Sequence, residues 1–225
     1  MRPVKKGRKP YISIKDYDEA LPFLIDRLGE LCSYCEMHLD SGLAVEHVQP
    51  KSLQKSKRCQ WSNLLLACVH CNSTKGETDI NSKNIKNYLW PHKDNTFFAL
   101  KYSKGGCVCE NHALSPSIQT KAKNIIKLVG LDKVPPNVSK KDRRWHNRRE
   151  TWDKAERVKQ RLAKNDTEEQ RENIVDMVES YFSIWMTVFA NDVDMKRRII
   201  NKFIGTAKNC FDKNGNPVSR KGGQI

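Results

Sequence analysis

Cys32-Ser33-Tyr34-Cys35 and Cys68-Val69-His70-Cys71 are the residues of this chain whose types and spacing speak first for chemistry. A C-x-x-C spacing turns two sulfurs onto one ion, and two such knuckles supply the four thiolates of a tetrahedral structural zinc site. Redox-active cysteine pairs need only one knuckle, in a thioredoxin-like setting that is missing here. Between the knuckles run "LAVEHVQPKS" and "WSNLLLAC", and the second knuckle opens into "CNSTKG". A Glu-His pair in an apolar run, followed by an Asn behind the last cysteine, is more than a staple needs. Either these polar residues are incidental to a small zinc-stapled fold, or the zinc braces a site where they do chemistry.

Short elements must position those residues. "LAVEHV" is β-branched and bounded by Gly42 and Pro50, as a strand should be. "WSNLLLAC" reads as a second strand and "CNSTKGE" as the start of a helix. Zinc would close this strand–loop–strand–helix unit, and its binding free energy would become folding free energy. Ahead of it, Leu21, Leu24, Ile25 and Leu28 recur at helical spacing, with Pro22 tolerable only in the first turn. After it, "TFFALKYSKGGCVCENHAL" resembles a hairpin turning at Gly105-Gly106. Ile118, Ala122, Ile125, Ile126 and Val129 then share one helical face, Pro135-Pro136 is a break, and a long charged helix follows. Thr167 and Gln170 make a capping-box start for "ENIVDMVESYFSIWMTVF", a broadly apolar helix. Four stretches result: a basic arm and helix (1–31), the knuckle unit (32–80), a hairpin and helix (81–132), and basic and acidic helices with a basic tail (133–225).

The chain of 225 residues carries a net charge of +15, which points to a polyanionic partner, nucleic acid above all. The charge is laid out in blocks. Residues 133–164 hold twelve Lys or Arg against four acids, 165–194 hold eight acids against Arg171, and 195–225 hold eight bases against Asp212. These blocks either pair with one another or divide into a nucleic-acid face and a protein face. No apolar run is long enough to span a membrane, and the basic N-terminus lacks the apolar core of a secretory signal, so a cytoplasmic location is expected. In that reducing setting eight cysteines favour metal over disulfides. Cys107, Cys109 and His112 lack a fourth ligand, so they read as ordinary residues rather than a second metal site.

"EHVQP", "SNLLLAC" and "CNSTKG", set between paired knuckles, resemble the His-Asn-His (HNH) endonuclease motif on a ββα-metal finger. The likeness covers about a fifth of the chain. It implies an α+β fold: a zinc-stapled HNH finger embedded in a mostly helical chain, with a short β-hairpin after it. It also implies structural zinc on Cys32, Cys35, Cys68 and Cys71, and Mg2+ or another divalent cation held by the hard oxygens of Glu46 and Asn72. His47 is the expected general base, since an ordinary imidazole pKa of roughly 6.5 leaves much of it neutral near pH 7. Asn63 stands at the middle Asn of the motif, implied to bridge the loop that positions the histidine. Lys75, one turn beyond Asn72, would hold phosphate as a point charge. Glu46 and His47 leave opposite faces of a strand, so a bulge or twist is expected to bring them together. The plainer readings are a hydrogen-bonded strand histidine, a helix-capping Asn72 and a solvated Lys75.

Beyond residues 32–76 a looser likeness extends to the HNH subunits of Septu and retron-associated anti-phage systems, the PtuB family. It implies a defence effector that cuts nucleic acid, DNA by preference, together with a PtuA-type ATPase. In retron-borne systems it adds a reverse transcriptase and its DNA–RNA element. Ile174, Val178, Tyr181, Trp185 and Val188 would then be an ATPase-docking stripe or ordinary core. The rival functions are an RNase, including one acting on transfer RNA, and a non-catalytic zinc-knuckle module that binds nucleic acid through 133–164.

Overall fold

The Asp16 carboxylate caps a 3-10 turn, Tyr17–Ala20, by accepting the Asp18 N–H at 3.2 Å. The turn runs into α1 (Leu21–Leu28), with Pro22 in its first turn and Gly29 ending it at φ 74°. Leu24 and Leu28 are fully buried against the finger that follows. This computed structural model describes residues 1–11, 13–139 and 141–225; Ile12 of the N-terminal stretch and Lys140, counted in the basic block, lie outside the described residues.

The finger itself is β1 (Leu43–His47) paired antiparallel with β2 (Leu64–Cys68), then α2 (Val69–Lys75). Every residue of β2 is buried, because α1 and α2 both pack on it. The expected strand over "WSNLLLAC" begins only at Leu64; Trp61–Asn63 is a 3-10 turn instead. The Asn63 side chain is committed to loop backbone there. No bulge interrupts the β1–β2 ladder, which pairs Glu46 with Leu65 and His47 with Leu64.

A helical turn, α3 (Thr96–Ala99), replaces the first part of the expected hairpin. Asn95 caps it by accepting the Phe98 N–H, while its amide donates to the carbonyls of Cys210 and Val218. The hairpin proper is β3 (Leu100–Ser103) with β4 (Cys107–Glu110). Gly106 in its turn is obligatory: φ is 73°, and a Cβ would meet backbone of the next long helix at 2.8 Å. Next come α4 (Pro116–Val129), which packs on α2, and α5 (Arg144–Leu162).

The single apolar helix expected over 172–189 is two: α6 (Glu168–Asp176) and α7 (Phe182–Val188). Tyr181 between them sits at φ 55°. Buried Glu36 forces the break. Its carbonyl accepts the Tyr181 N–H at 3.0 Å, and its carboxylate accepts the Ser183 N–H at 2.8 Å and the Ser183 hydroxyl at 2.5 Å. A carboxylate at a helix N-terminus satisfies donors that have no helical partner. The stripe Ile174, Val178, Tyr181, Trp185 and Val188 is buried throughout, so it is core and not a docking face.

α8 (Val193–Lys202) closes the order and was not foreseen. Arg171 bridges Asp166, Asp192 and Asp194, and Arg198 bridges Asp194 and Glu168, so much of the acidic block pairs internally. The basic arm is likewise no free arm. Arg2 and Lys6 are buried, Val4 pairs with Thr206, and the Lys6 ammonium donates to the carbonyls of Trp61 and Leu64. Residues from all four stretches of the chain meet in one buried apolar cluster.

Candidate metal centre and active site

Cys32 and Cys35 sit on the tight turn after α1, held by Ser33 N–H to the Leu66 carbonyl and Glu36 N–H to the Cys32 carbonyl. Cys68 ends β2, and its sulfur accepts the Cys71 N–H in the first turn of α2. The four sulfurs lie within 4.8 Å of one another and all four residues are buried. Tetrahedral zinc with Zn–S bonds of about 2.3 Å would set sulfurs roughly 3.8 Å apart. Cys35 and Cys68 stand at 3.7 Å. The donor set therefore fits structural zinc.

One neighbour of this centre escaped the sequence reading. Arg144, only 1% exposed, donates from Nη1 to Cys71 Sγ at 3.1 Å and to the Val129 carbonyl at 2.7 Å. Asp142 grips its other edge at 2.7–2.9 Å. Four thiolates around a dication leave two negative charges, and a buried guanidinium offsets part of that excess. Arg148 is also buried, and Lys154 and Lys159 donate to the carbonyls of Met177 and Val188. The basic block 133–164 thus spends several of its charges inside the molecule. Cys107 and Cys109 are exposed on β4, and among the described residues only the four knuckle cysteines converge.

On the other side of the finger, Glu46, His47, Asn72 and Lys75 line one cavity of about 330 Å³, with Tyr17, Asp18, Pro50, Lys51 and Ser52. The bulge expected between Glu46 and His47 is not needed. His47 is the last residue of β1, where its ring turns along the following loop, and Glu46 faces α2.

His47 Nε2 lies 2.9 Å from the Arg58 carbonyl. A carbonyl only accepts, so Nε2 carries the proton and Nδ1 is left with its lone pair. The Tyr17 ring packs edge-on against the imidazole at 4.9 Å. Burial first, and then the charges of Lys51, Lys75 and Arg58, press the His47 pKa below its ordinary value, against the pull of the Arg58 carbonyl. Such an imidazole is neutral at pH 7 and can accept a proton.

Asn63 accepts the Gln49 N–H at 2.8 Å and donates to the carbonyls of Gln49 and Lys57 at 2.9 and 3.2 Å. It thereby clasps both ends of the loop that leaves His47 and returns past Arg58. Glu46 is buried. Its Oε1 meets Lys75 Nζ at 3.0 Å and the Tyr34 hydroxyl at 3.3 Å. Burial raises the Glu46 pKa, and Lys75, Tyr34 and the His47 backbone oppose it.

Lys75 lines the cavity but does not stand free for phosphate as the sequence suggested. It is 2% exposed, and its ammonium is taken up by Glu46 and by the His47 carbonyl at 2.7 Å. Glu46, shared with Lys75, and the half-buried Asn72 amide both line this one space. Two hard oxygens with room for water fit an ion that keeps part of its hydration shell. Tyr17, Lys51 and the Arg58 carbonyl were not foreseen as cavity or histidine partners, since only the folded loop brings them there.

Comparison with known proteins agrees with this geometry. Residues 32–78 match the family model described as HNH endonuclease. Septu protein PtuB of Bacillus thuringiensis is 34% identical over 82 residues, which is 35% of this chain. The match spans 29% of that relative's length. No helix among the described residues is long and apolar enough to cross a membrane. The knuckles, the cavity and the family match converge on residues 32–78, the stretch of this chain that is similar to HNH endonucleases.

Proposed function

We propose that the chain is a metal-dependent endonuclease that hydrolyses phosphodiester bonds of DNA as the effector of an anti-phage system. The observation that supports it most is the His47 ring, with Nε2–H tied to the Arg58 carbonyl, in a cavity that Glu46 and Asn72 also line. In this reading Nδ1 takes the proton of the attacking water. Arg58 and Tyr17 hold the ring, and Asn63 holds the loop. Glu46 and Asn72 would hold the divalent cation, which supplies charge compensation at the phosphate when bound. Lys75 favours the ionised form of Glu46 against burial and orients it from beneath.

A finger of this size offers few means of reading sequence, so we propose that a PtuA-type ATPase subunit restrains and directs it, in line with the PtuB relative. An ATPase gene beside this one would support that partner, and a reverse transcriptase beside both would mark a retron-borne version. His47→Ala tests the catalytic reading. Cleavage should fall by about 10²–10⁴-fold while zinc content and melting temperature stay at wild-type values. RNA is assayed beside DNA, because the same chemistry acts on either backbone. Full phage protection by the variant would leave a zinc-knuckle binding module in place of a nuclease.

A further inference from the structure

The cavity has two lysines on its wall, and they are in opposite situations. Lys75 is sealed beneath the floor by Glu46 and the His47 carbonyl. Lys51 is exposed, four residues after His47 on the turn that starts at Pro50, where the Leu53 and Gln54 N–H groups both return to the Pro50 carbonyl. No ion pair engages it among the described residues. Its ammonium lies 3.7 Å from the centre of the Tyr17 ring instead. Arg58 also approaches that ring, at 5.1 Å, but its guanidinium is bound to Asp16 at 2.8 Å. Tyr17 precedes residues 32–78, so this arrangement comes from the chain's own N-terminal turn and not from the matched domain.

A ring face holds an exposed ammonium more weakly than a carboxylate or a phosphate does. Lys51 is thus kept at the mouth of the cavity, beside His47, without being neutralised. We propose, resting on the nuclease reading, that Lys51 is the cation that receives the DNA phosphate backbone at this site. Tyr17 is its positioning residue, holding the ammonium over its ring while the same ring stands in T-shaped contact with the His47 imidazole. Lys75, the lysine that the motif suggests for this contact, serves Glu46 instead.

The test is binding of a short fluorescent DNA duplex to the full-length chain carrying His47→Ala, measured by anisotropy across a series of salt concentrations. Each lost phosphate contact lowers the slope of log affinity against log salt by about 0.9 on duplex DNA. Adding Lys51→Ala, or Lys51→Gln, which keeps a stem over the ring, should produce that drop, and Lys51→Arg should restore it. An unchanged slope in both neutral variants, or no binding by the His47→Ala parent, overturns the assignment. Cleavage by the wild-type chain with its ATPase is followed in parallel. Cleavage together with an unchanged slope removes the Lys51 contact alone. A reduced slope with no cleavage of any substrate removes the nuclease reading and leaves the contact standing.

Discussion

The two sides of the β1–β2–α2 finger hold their charges in contrasting ways. On the knuckle side four thiols turn inward, all buried, and the nearest cation, Arg144, is as buried as they are. On the cavity side one ion pair, Glu46 with Lys75, is sealed, while His47, Asn72 and Lys51 border an opening. The first arrangement can hold an ion and do nothing else, since every ligand position is filled by protein. The second leaves donors facing space, as a site that must admit water and a phosphate requires. The cysteine cluster and the cavity thus stand at opposite ends of the β1–β2 ladder, Cys68 opposite Leu43 at one end and His47 opposite Leu64 at the other.

Breaking the knuckle side should have the largest effect. Structural zinc contributes about 10–16 kcal/mol of apparent binding free energy in small zinc folds. Cys68→Ser, or a strong chelator, should abolish cooperative unfolding of the finger, seen as loss of protection of β1 and β2 in hydrogen exchange. A chelated protein that keeps its full protection would mean the sulfurs are merely packed together.

The sealed pair on the cavity side comes next. Lys75→Ala leaves the Glu46 carboxylate buried without its cation, at a cost of about 3–5 kcal/mol. The double variant with Glu46→Gln should recover much of that in urea unfolding. Equal loss in the single and double variants would show that Lys75 acts through packing alone. Arg144→Met is the smaller perturbation. It should raise the rate of zinc release to a colorimetric chelator, with affinity weaker by roughly 10–100-fold and the far-ultraviolet spectrum preserved. Unaltered release would reduce the Arg144–Cys71 contact to a bystander.

These contrasts also mark what sequence can and cannot convey. The knuckles were legible because a C-x-x-C spacing is a local constraint, and β1, α2 and the hairpin followed from short patterns with clear boundaries. The break between α6 and α7 was not, because Glu36, which captures Ser183, lies 147 positions away in the chain. Periodicity alone sees the apolar run there and continues the helix. Arg144 read as one base in a charged helix, since nothing in "DRRW" distinguishes a buried guanidinium from a solvated one. Glu46, His47, Asn63 and Asn72 were legible as a constellation, but the division of work between Lys75 and Lys51 depends on which ammonium folding buries. Tyr17 gave no signal at all. Its position against His47 depends on the Tyr17–Ala20 turn and the loop from Pro50 to Arg58 meeting in space.

The proposed chemistry turns on the state of one imidazole, and nitrogen-15 NMR of His47 across pH reads that state directly. At pH 7 the ring should be neutral with its proton on Nε2 and Nδ1 bare. Burial lowers the folded pKa beneath the ordinary 6.5, so the native state binds fewer protons than the unfolded chain between those two values. The neutral form and its contribution to stability are then complete above 6.5, and both are lost as pH falls toward the depressed folded value. The acid limb of cleavage should share that midpoint below 6.5. A proton found on Nδ1 at pH 7, or a midpoint above 6.5, would contradict His47 as the acceptor.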